Sequence, residues 1–257
     1  MSPDGLVTRP LRPVHFTRLR YMAKSPAHYK AAMETPRADS PAMRLGRLVH
    51  LLALEDPSGV SVWEGVRRGK QWDEFSAAHV GQEIVSGAEM ETAEAMAEAI
   101  LCDTEARDLL TGNREQSIAW QFGERRCAGR IDVWTPERVV ELKTTTDAEP
   151  GRFARTAIRL AYHAQLAFYQ AGLMAAGLGS PERAFIVAIE TKPPYAITRF
   201  ELTQRALEFG TRCYSLWLEQ LLVCEASDSW PAYSQSIVPL DSPEDVNLII
   251  DGEEIAV

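Results

Sequence analysis

Three charged residues stand where a buried strand pair should be apolar. In "CAGRIDVWTPERVVELKTTTDAEP", residues 127–150, Asp132 interrupts "RIDVW", and Glu141 and Lys143 interrupt "VVELKT". The tetrapeptide Thr135-Pro136-Glu137-Arg138 suits a type I turn, with proline at its second position. Such a turn sets Thr135 against Arg138 and therefore Asp132 against Glu141, whose Cβ atoms would lie about 4.5–5.5 Å apart on one face. Lys143 joins that face two residues further along, about 6.6 Å away. Ile131, Val133, Val140 and Leu142 take the opposite face as core. A slip of one residue would separate the charged partners, so the whole reading depends on register.

Like charges placed directly opposite each other destabilise a strand pair, and a divalent cation is the most effective compensation. Hard oxygen ligands with open positions suit Mg²⁺, with Mn²⁺ as the alternative, at one or two ions per site. Such an ion lowers the pKa of water and stabilises charge on a phosphoryl oxygen, and the lysine beside it would orient or deprotonate the attacking water. Spacing alone fits a solvated hairpin with a Lys–Glu–Asp network equally well. A second E-x-K, Glu190-Thr191-Lys192, makes the same point. It lacks a preceding strand with a central acid, so the tripeptide by itself carries little.

Around the hairpin the chain organises into elements. "EQSIAWQF", "RCAGRIDVW" and "VVELKT" read as three successive strands. A long helix is expected over residues 151–177, then the strands "RAFIVAIE" and "YAITRFEL", then a closing helix. Ahead of them, "SPAMRLGRLVHLLALEDP" carries a Ser40 cap, Pro41 in the first turn and Pro57 after the end. "GVSVW" reads as a short strand and residues 71–110 as helical. The expected architecture is α/β, a central mixed sheet flanked by helices. Residues 1–15 read as a flexible proline-containing lead-in, residues 16–234 as a single domain, and residues 235–257 as an acidic tail.

Asp132, Glu141 and Lys143, followed by a helix bearing "QLAFY" from Gln165 to Tyr169, resemble the PD-(D/E)XK nucleases of the RecB and lambda-exonuclease type. "SPAHYKAAM", "MRLGRLVHLLALEDP", "KQWDEF", "EQSIAW", "ELKTTTDA" and "AYHAQLAFYQ" together resemble the RecE (exonuclease VIII) nuclease domain over about residues 16–234. The resemblance implies a restriction-endonuclease-like core. It implies Asp132, Glu141, the carbonyl of Leu142 and His50 as metal ligands, Lys143 acting on water, and Glu115 as a further acid of the catalytic group. Gln165 and Tyr169 would support the metal site and the DNA backbone, and Thr144 would help position it. Read alone, His50 is a satisfied core histidine, Glu115 an ordinary strand charge, and Gln165 with Tyr169 a buried structural pair.

The resemblance further implies hydrolysis of linear double-stranded DNA from the 5′ end. It also implies a ring-like homo-oligomer, trimer or tetramer, working with a single-strand annealing recombinase in phage-type recombination. An endonuclease, a single-strand end-trimming nuclease and a non-catalytic DNA-binding scaffold are the competing expectations.

Charge distribution fits a nucleic-acid partner better than the total of −9. Residues 223–257 hold eight acids and no Lys or Arg, whereas residues 1–47 hold nine Lys or Arg against three acids. Arg18, Arg20, Arg44 and Arg47 are the candidate phosphate contacts within that basic front, although plain surface solvation accounts better for any one of them taken singly. The four cysteines form no C-x-x-C pair, which argues against zinc or iron–sulfur. No apolar run reaches membrane-spanning length, and "MSPDGLVTRPLRP" has no apolar core of a signal peptide. A bacterial or phage-infected cytoplasm is the expected location.

Overall fold

The computed structural model describes residues 11–36, 39–55, 57–234 and 236–239, together with the backbone of 248–250 and 253–255. Residues 1–10 of the expected lead-in and most of the expected acidic tail lie outside the described residues. In chain order the elements are β1 (Val14–His15), α1 (Phe16–Leu19), α2 (Pro26–Glu34), α3 (Pro41–Leu54), β2 (Val60–Val62), α4 (Lys70–Ala78) and β3 (Glu83–Val85). Next come α5 (Gly87–Cys102), α6 (Thr104–Leu109), β4 (Asn113–Phe122), β5 (Arg125–Trp134), β6 (Arg138–Thr145), α7 (Pro150–Arg159) and α8 (Tyr162–Ala175). The chain continues through β7 (Arg183–Glu190), β8 (Ile197–Glu201), α9 (Gln204–Ser227), β9 (Leu248–Ile250) and β10 (Glu253–Ile255).

The main sheet is mixed and runs β1-β5-β6-β7-β8, with β4 along the other edge of β5. β4 and β5 form a long antiparallel hairpin, β6 and β7 are parallel over their full lengths, and β8 returns antiparallel. Helices cover both faces. One core gathers Phe16, Leu19, Phe168, Tyr214, Trp217 and Leu221 against the sheet; the other gathers Leu48, Val49, Met96 and Ile100 from α3 and α5. β7 alternates between them, with Ala184, Ile186 and Ala188 in the first and Phe185, Val187 and Ile189 in the second. A strand buried on both faces reads as a continuous apolar run, which "AFIVAI" is.

The helix that carries His50 starts as its sequence dictates. Ser40 caps α3 by accepting from the Met43 N–H at 3.2 Å, and Pro41 occupies the first turn. Gly46 lets α3 approach β6, since a Cβ there would meet the Thr144 hydroxyl at 3.3 Å.

Three expectations change. The helix expected over residues 151–177 is two helices, because Ala161 takes a left-handed conformation (φ 60°, ψ 34°) between α7 and α8. The break costs about 1 kcal/mol at a non-glycine residue and turns the chain so that Tyr162 opens α8. The helical reading of 71–110 is interrupted by β3, which pairs in parallel with β2, while Gly81 (φ 89°) supplies the turn before it. Ile131 does not share a face with Val133, Val140 and Leu142: it packs in the first core, and those three pack in the second. β5 changes face at Asp132, opposite Glu115, whose own φ of 50° breaks the pleat of β4.

Candidate active site

The turn at residues 135–138 closes as a hydrogen-bonded pair, with the Thr135 N–H donating to the Arg138 carbonyl at 2.8 Å and the return bond at 3.3 Å. Its register gives the ladder pairs Trp134–Val139 and Val133–Val140. Among the described residues the ladder then stops. On that edge of β5 the next partners are Cys127 and Ala128, which pair with β1. Between Ala128 and Val133 the sheet is split, and Asp132 bridges the split with its side chain: Oδ2 accepts from the Leu142 N–H at 2.8 Å. A carboxylate thus takes over a hydrogen bond that backbone would otherwise make. The sheet opens because the side chain, not the carbonyl, satisfies the donor.

The opening gathers the charges. Asp132 and Glu141 are buried, at 7% and 5% exposure. Glu141 Oε1 accepts from Lys143 Nζ at 2.6 Å and from Gln165 Nε2 at 2.7 Å, and the same Gln165 nitrogen reaches the Tyr169 hydroxyl at 3.1 Å. Gln165 and Tyr169, one turn apart on α8, therefore hold Glu141 from the first core. Lys143 Nζ lies 4.6 Å from the centre of the Tyr162 ring, a cation–π contact that the break at Ala161 makes possible.

From the other side, α3 delivers His50. Its Nε2 donates to the Leu142 carbonyl at 3.0 Å, while Nδ1 faces Glu115 Oε1 at 3.4 Å and Asp132 Oδ1 at 3.7 Å. Both ring nitrogens face acceptors, which favours the protonated ring over the neutral one, and a cation bound at Nδ1 would take the place of that proton. Burial works against that charge, but Asp132, Glu115 and Glu141 outweigh it and raise the pKa to about 9. Burial and the Glu141 charge push Asp132 up to about 7 despite His50 and Lys143. Burial also opposes the Lys143 ammonium, yet Glu141, Tyr162 and Asp132 raise its pKa further. The contacts with Glu141 and the Tyr162 ring hold the Lys143 ammonium in place. Burial and the neighbouring Glu141 likewise raise Tyr169.

Two features fit a divalent cation here. His50, Glu115 and Asp132 each offer a ligand atom within 4.8 Å of the others. Glu141 Oε2 is buried with no hydrogen-bond partner, an expensive state for a carboxylate oxygen that a cation would relieve. His50, Glu115 and Asp132 are the groups that converge to hold it; the Leu142 carbonyl, bonded to His50, and Glu141 Oε2 are the further oxygens on β6. They line or adjoin an open cavity of about 640 Å³ that also includes Thr144, Arg47, Arg130 and Tyr162. A larger cleft of about 760 Å³ between α8 and α9 holds none of this cluster.

The expected arginines divide. Arg47 lines the cavity but is occupied by Asp39 at 2.8 Å and Glu83 at 3.0 Å. Arg44 pairs with Glu89 at 3.3 Å outside the cavity lining. Arg18 donates to the Ala32 carbonyl and stands apart from the cavity. The sequence reading missed Arg130, Glu55 and Tyr162. Arg130 sits two residues before Asp132 on the same strand, a signal that was available; Tyr162 depends on a helix break with no sequence mark. The second E-x-K is structural: Glu190 Oε1 accepts from the Ala148 N–H at 2.9 Å.

The sequence profile of a PDDEXK-like domain of unknown function, DUF3799, matches residues 16–242. The chain belongs to this PDDEXK-like family. Among solved structures, a candidate exonuclease from Eubacterium rectale shares the fold, with a TM-score of 0.64, 14% identity and 90% of each chain covered. A phage-related exonuclease from Haemophilus somnus 129PT matches at a TM-score of 0.39 and 13% identity, covering 85% of this chain and 97% of its own. An alkaline exonuclease from Laribacter hongkongensis matches at 0.30 and 14%, covering 71% and 98%. No curated protein matches the sequence. A PDDEXK-like nuclease fold and a carboxylate–histidine cluster suited to a metal therefore coincide at the split in the sheet. No helix among the described residues is long and apolar enough to cross a membrane.

Proposed function

We propose that the chain is a Mg²⁺-dependent deoxyribonuclease, with residues 16–234 as its nuclease domain and Asp132, Glu141 and Lys143 as its catalytic group. The observation that carries this reading is the cluster of His50, Glu115 and Asp132 lining an open cavity, with the buried, partnerless Glu141 Oε2 on the adjacent strand. When bound, the cation supplies charge stabilisation at a phosphoryl oxygen and lowers the pKa of water. The chain's residues do the rest. Gln165 and Tyr169 fix the orientation of Glu141, and Asp132 is fixed by the Leu142 N–H. The Lys143 ammonium, held between Glu141 and Tyr162, faces charge that builds on the phosphate.

The likeness in motif order to RecE-type nucleases supports the finer reading: a 5′→3′ exonuclease on linear duplex DNA, a ring-like trimer or tetramer, partnered by a single-strand annealing recombinase in a bacterial or phage-infected cytoplasm. The deciding experiment is degradation of linear duplex by the wild type and by Lys143→Ala with Mg²⁺. Loss of at least about a hundredfold in kcat is expected on removing a charge-stabilising group. Equal rates would overturn the site assignment, and cutting of a closed circle would turn the reading towards an endonuclease.

A further inference from the structure

Glu115 is the oddest residue in the site. It is the third residue of a ten-residue strand, yet its φ of 50° is left-handed. For a non-glycine residue that conformation costs about 1–3 kcal/mol and persists only where the surroundings over-determine it. The surroundings are identifiable. Its Oε1 faces His50 Nδ1 at 3.4 Å, and its Oε2 is bound by Arg130 Nε at 2.5 Å. The other arm of the same guanidinium, Nη2, binds Glu55 Oε2 at 2.7 Å. Glu55 is the C-cap residue of α3, the helix that carries His50.

We propose that Arg130 is a positioning residue for the metal site: anchored by Glu55, it aims the Glu115 carboxylate at the cluster and keeps that residue in its strained conformation. This rests on the nuclease reading above and deepens it. The two carboxylate oxygens have separate tasks. Oε2 is committed to Arg130, which leaves Oε1 towards His50 and Asp132, where a cation would sit. Because Glu55 ends α3 and Glu115 lies on β4, the guanidinium also ties the element delivering His50 to the element delivering Glu115. A partner that orients a ligating carboxylate is typically worth 10–100-fold in metal affinity.

Simple electrostatics predicts the opposite sign, which makes the proposal testable. A guanidinium beside the site repels a cation, so its removal would tighten metal binding if charge were its whole effect. The experiment is calorimetric titration of the full chain with Mn²⁺ and Mg²⁺ in the absence of DNA. The proteins are wild type, Arg130→Gln, Arg130→Lys, Glu115→Gln and the Arg130→Gln/Glu115→Gln double variant, with thermal unfolding in EDTA as the fold control. Arg130→Gln is expected to weaken metal binding about tenfold or more. Arg130→Lys, able to hold one carboxylate, should recover part of that loss. In the Glu115→Gln background the Arg130 substitution should add little, because its action passes through Glu115. Unchanged or tighter metal binding in Arg130→Gln would overturn the proposal, as would an equal further loss in the Glu115→Gln background. If Arg130→Gln fails the fold control, Arg130→Lys decides: wild-type affinity in it, with Glu115→Gln also at wild-type affinity, overturns the proposal. Failure of the wild type to bind either ion would instead remove the metal-nuclease reading on which the proposal stands.

Discussion

One methyl group at Gly129 should disable the site from a distance. Gly129 pairs with Ile118 of β4 but lies where the other edge of β5 has no strand partner, and a Cβ there would sit 2.6 Å from Tyr169 Cε1 and 3.1 Å from Cδ1. Ordinary carbon contact needs 3.4–4 Å, so the ring must retreat by about 1 Å in a core packed as tightly as a crystal. Tyr169 is 5% exposed and wedged beside Phe168, at 6.2 Å between ring centres, which leaves it little room. Overpacking of this kind costs about 1–3 kcal/mol; at about 2 kcal/mol, the melting temperature of a chain this size falls by roughly 4–8 °C. The catalytic effect should be larger. The Tyr169 hydroxyl takes a bond from Gln165, which in turn holds Glu141, and a 1 Å displacement of reacting geometry costs about a hundredfold. Gly129→Ala should therefore melt earlier and lose about two orders of magnitude in kcat on linear duplex DNA. Adding Tyr169→Val removes the clash and should recover stability without recovering kcat. An unchanged melting temperature together with full activity in Gly129→Ala would refute the argument.

Two further outcomes follow from the same geometry. Folding raises the pKa of Asp132 from its ordinary 3.8 to about 7 and that of His50 from 6.5 to about 9, so the metal-free folded chain binds more protons than the unfolded one between those values. Its stability should fall as pH rises from about 4 to about 9, and Mg²⁺, which competes with those protons, should protect more strongly at pH 9 than at pH 6; thermal unfolding with EDTA or Mg²⁺ at both pH values checks this, and pH-independent protection would contradict it. Glu190→Ala deprives the buried Ala148 N–H of its acceptor and should cost about 1–3 kcal/mol while leaving hydrolysis at saturating Mg²⁺ intact; loss of hydrolysis in the folded variant would mean that the wrong E-x-K has been assigned.

Much of this was legible because it is local. The turn at Pro136 fixes two ladder pairs, and the apolar run of β7 and the cap at Ser40 need no distant partner to be recognised. What was not legible depends on contacts between remote segments. Alternation assigns Ile131 and Val133 to one face, and nothing in "RIDVW" signals that the strand changes face where Asp132 bonds to Leu142. "RLAYH" contains neither glycine nor proline, so the break at Ala161 and the placement of Tyr162 over Lys143 follow from packing alone. The arginines illustrate the limit in the other direction. Charge count nominated Arg18, Arg44 and Arg47, but the acids and carbonyls they meet lie up to 45 residues away in sequence.

The bond from Asp132 to the Leu142 N–H has a consequence for how this chain can lose its activity without losing its shape. The carboxylate is a structural member of the sheet as well as a candidate ligand, because it closes the seam where the two strands part. A descendant that gave up chemistry could discard Lys143 together with its buried partner Glu141, but it would need an acceptor at position 132. Asparagine would keep the seam closed while surrendering the charge; alanine would leave a backbone donor stranded in the interior. Silencing by evolution and silencing by mutagenesis should therefore take different routes at this position.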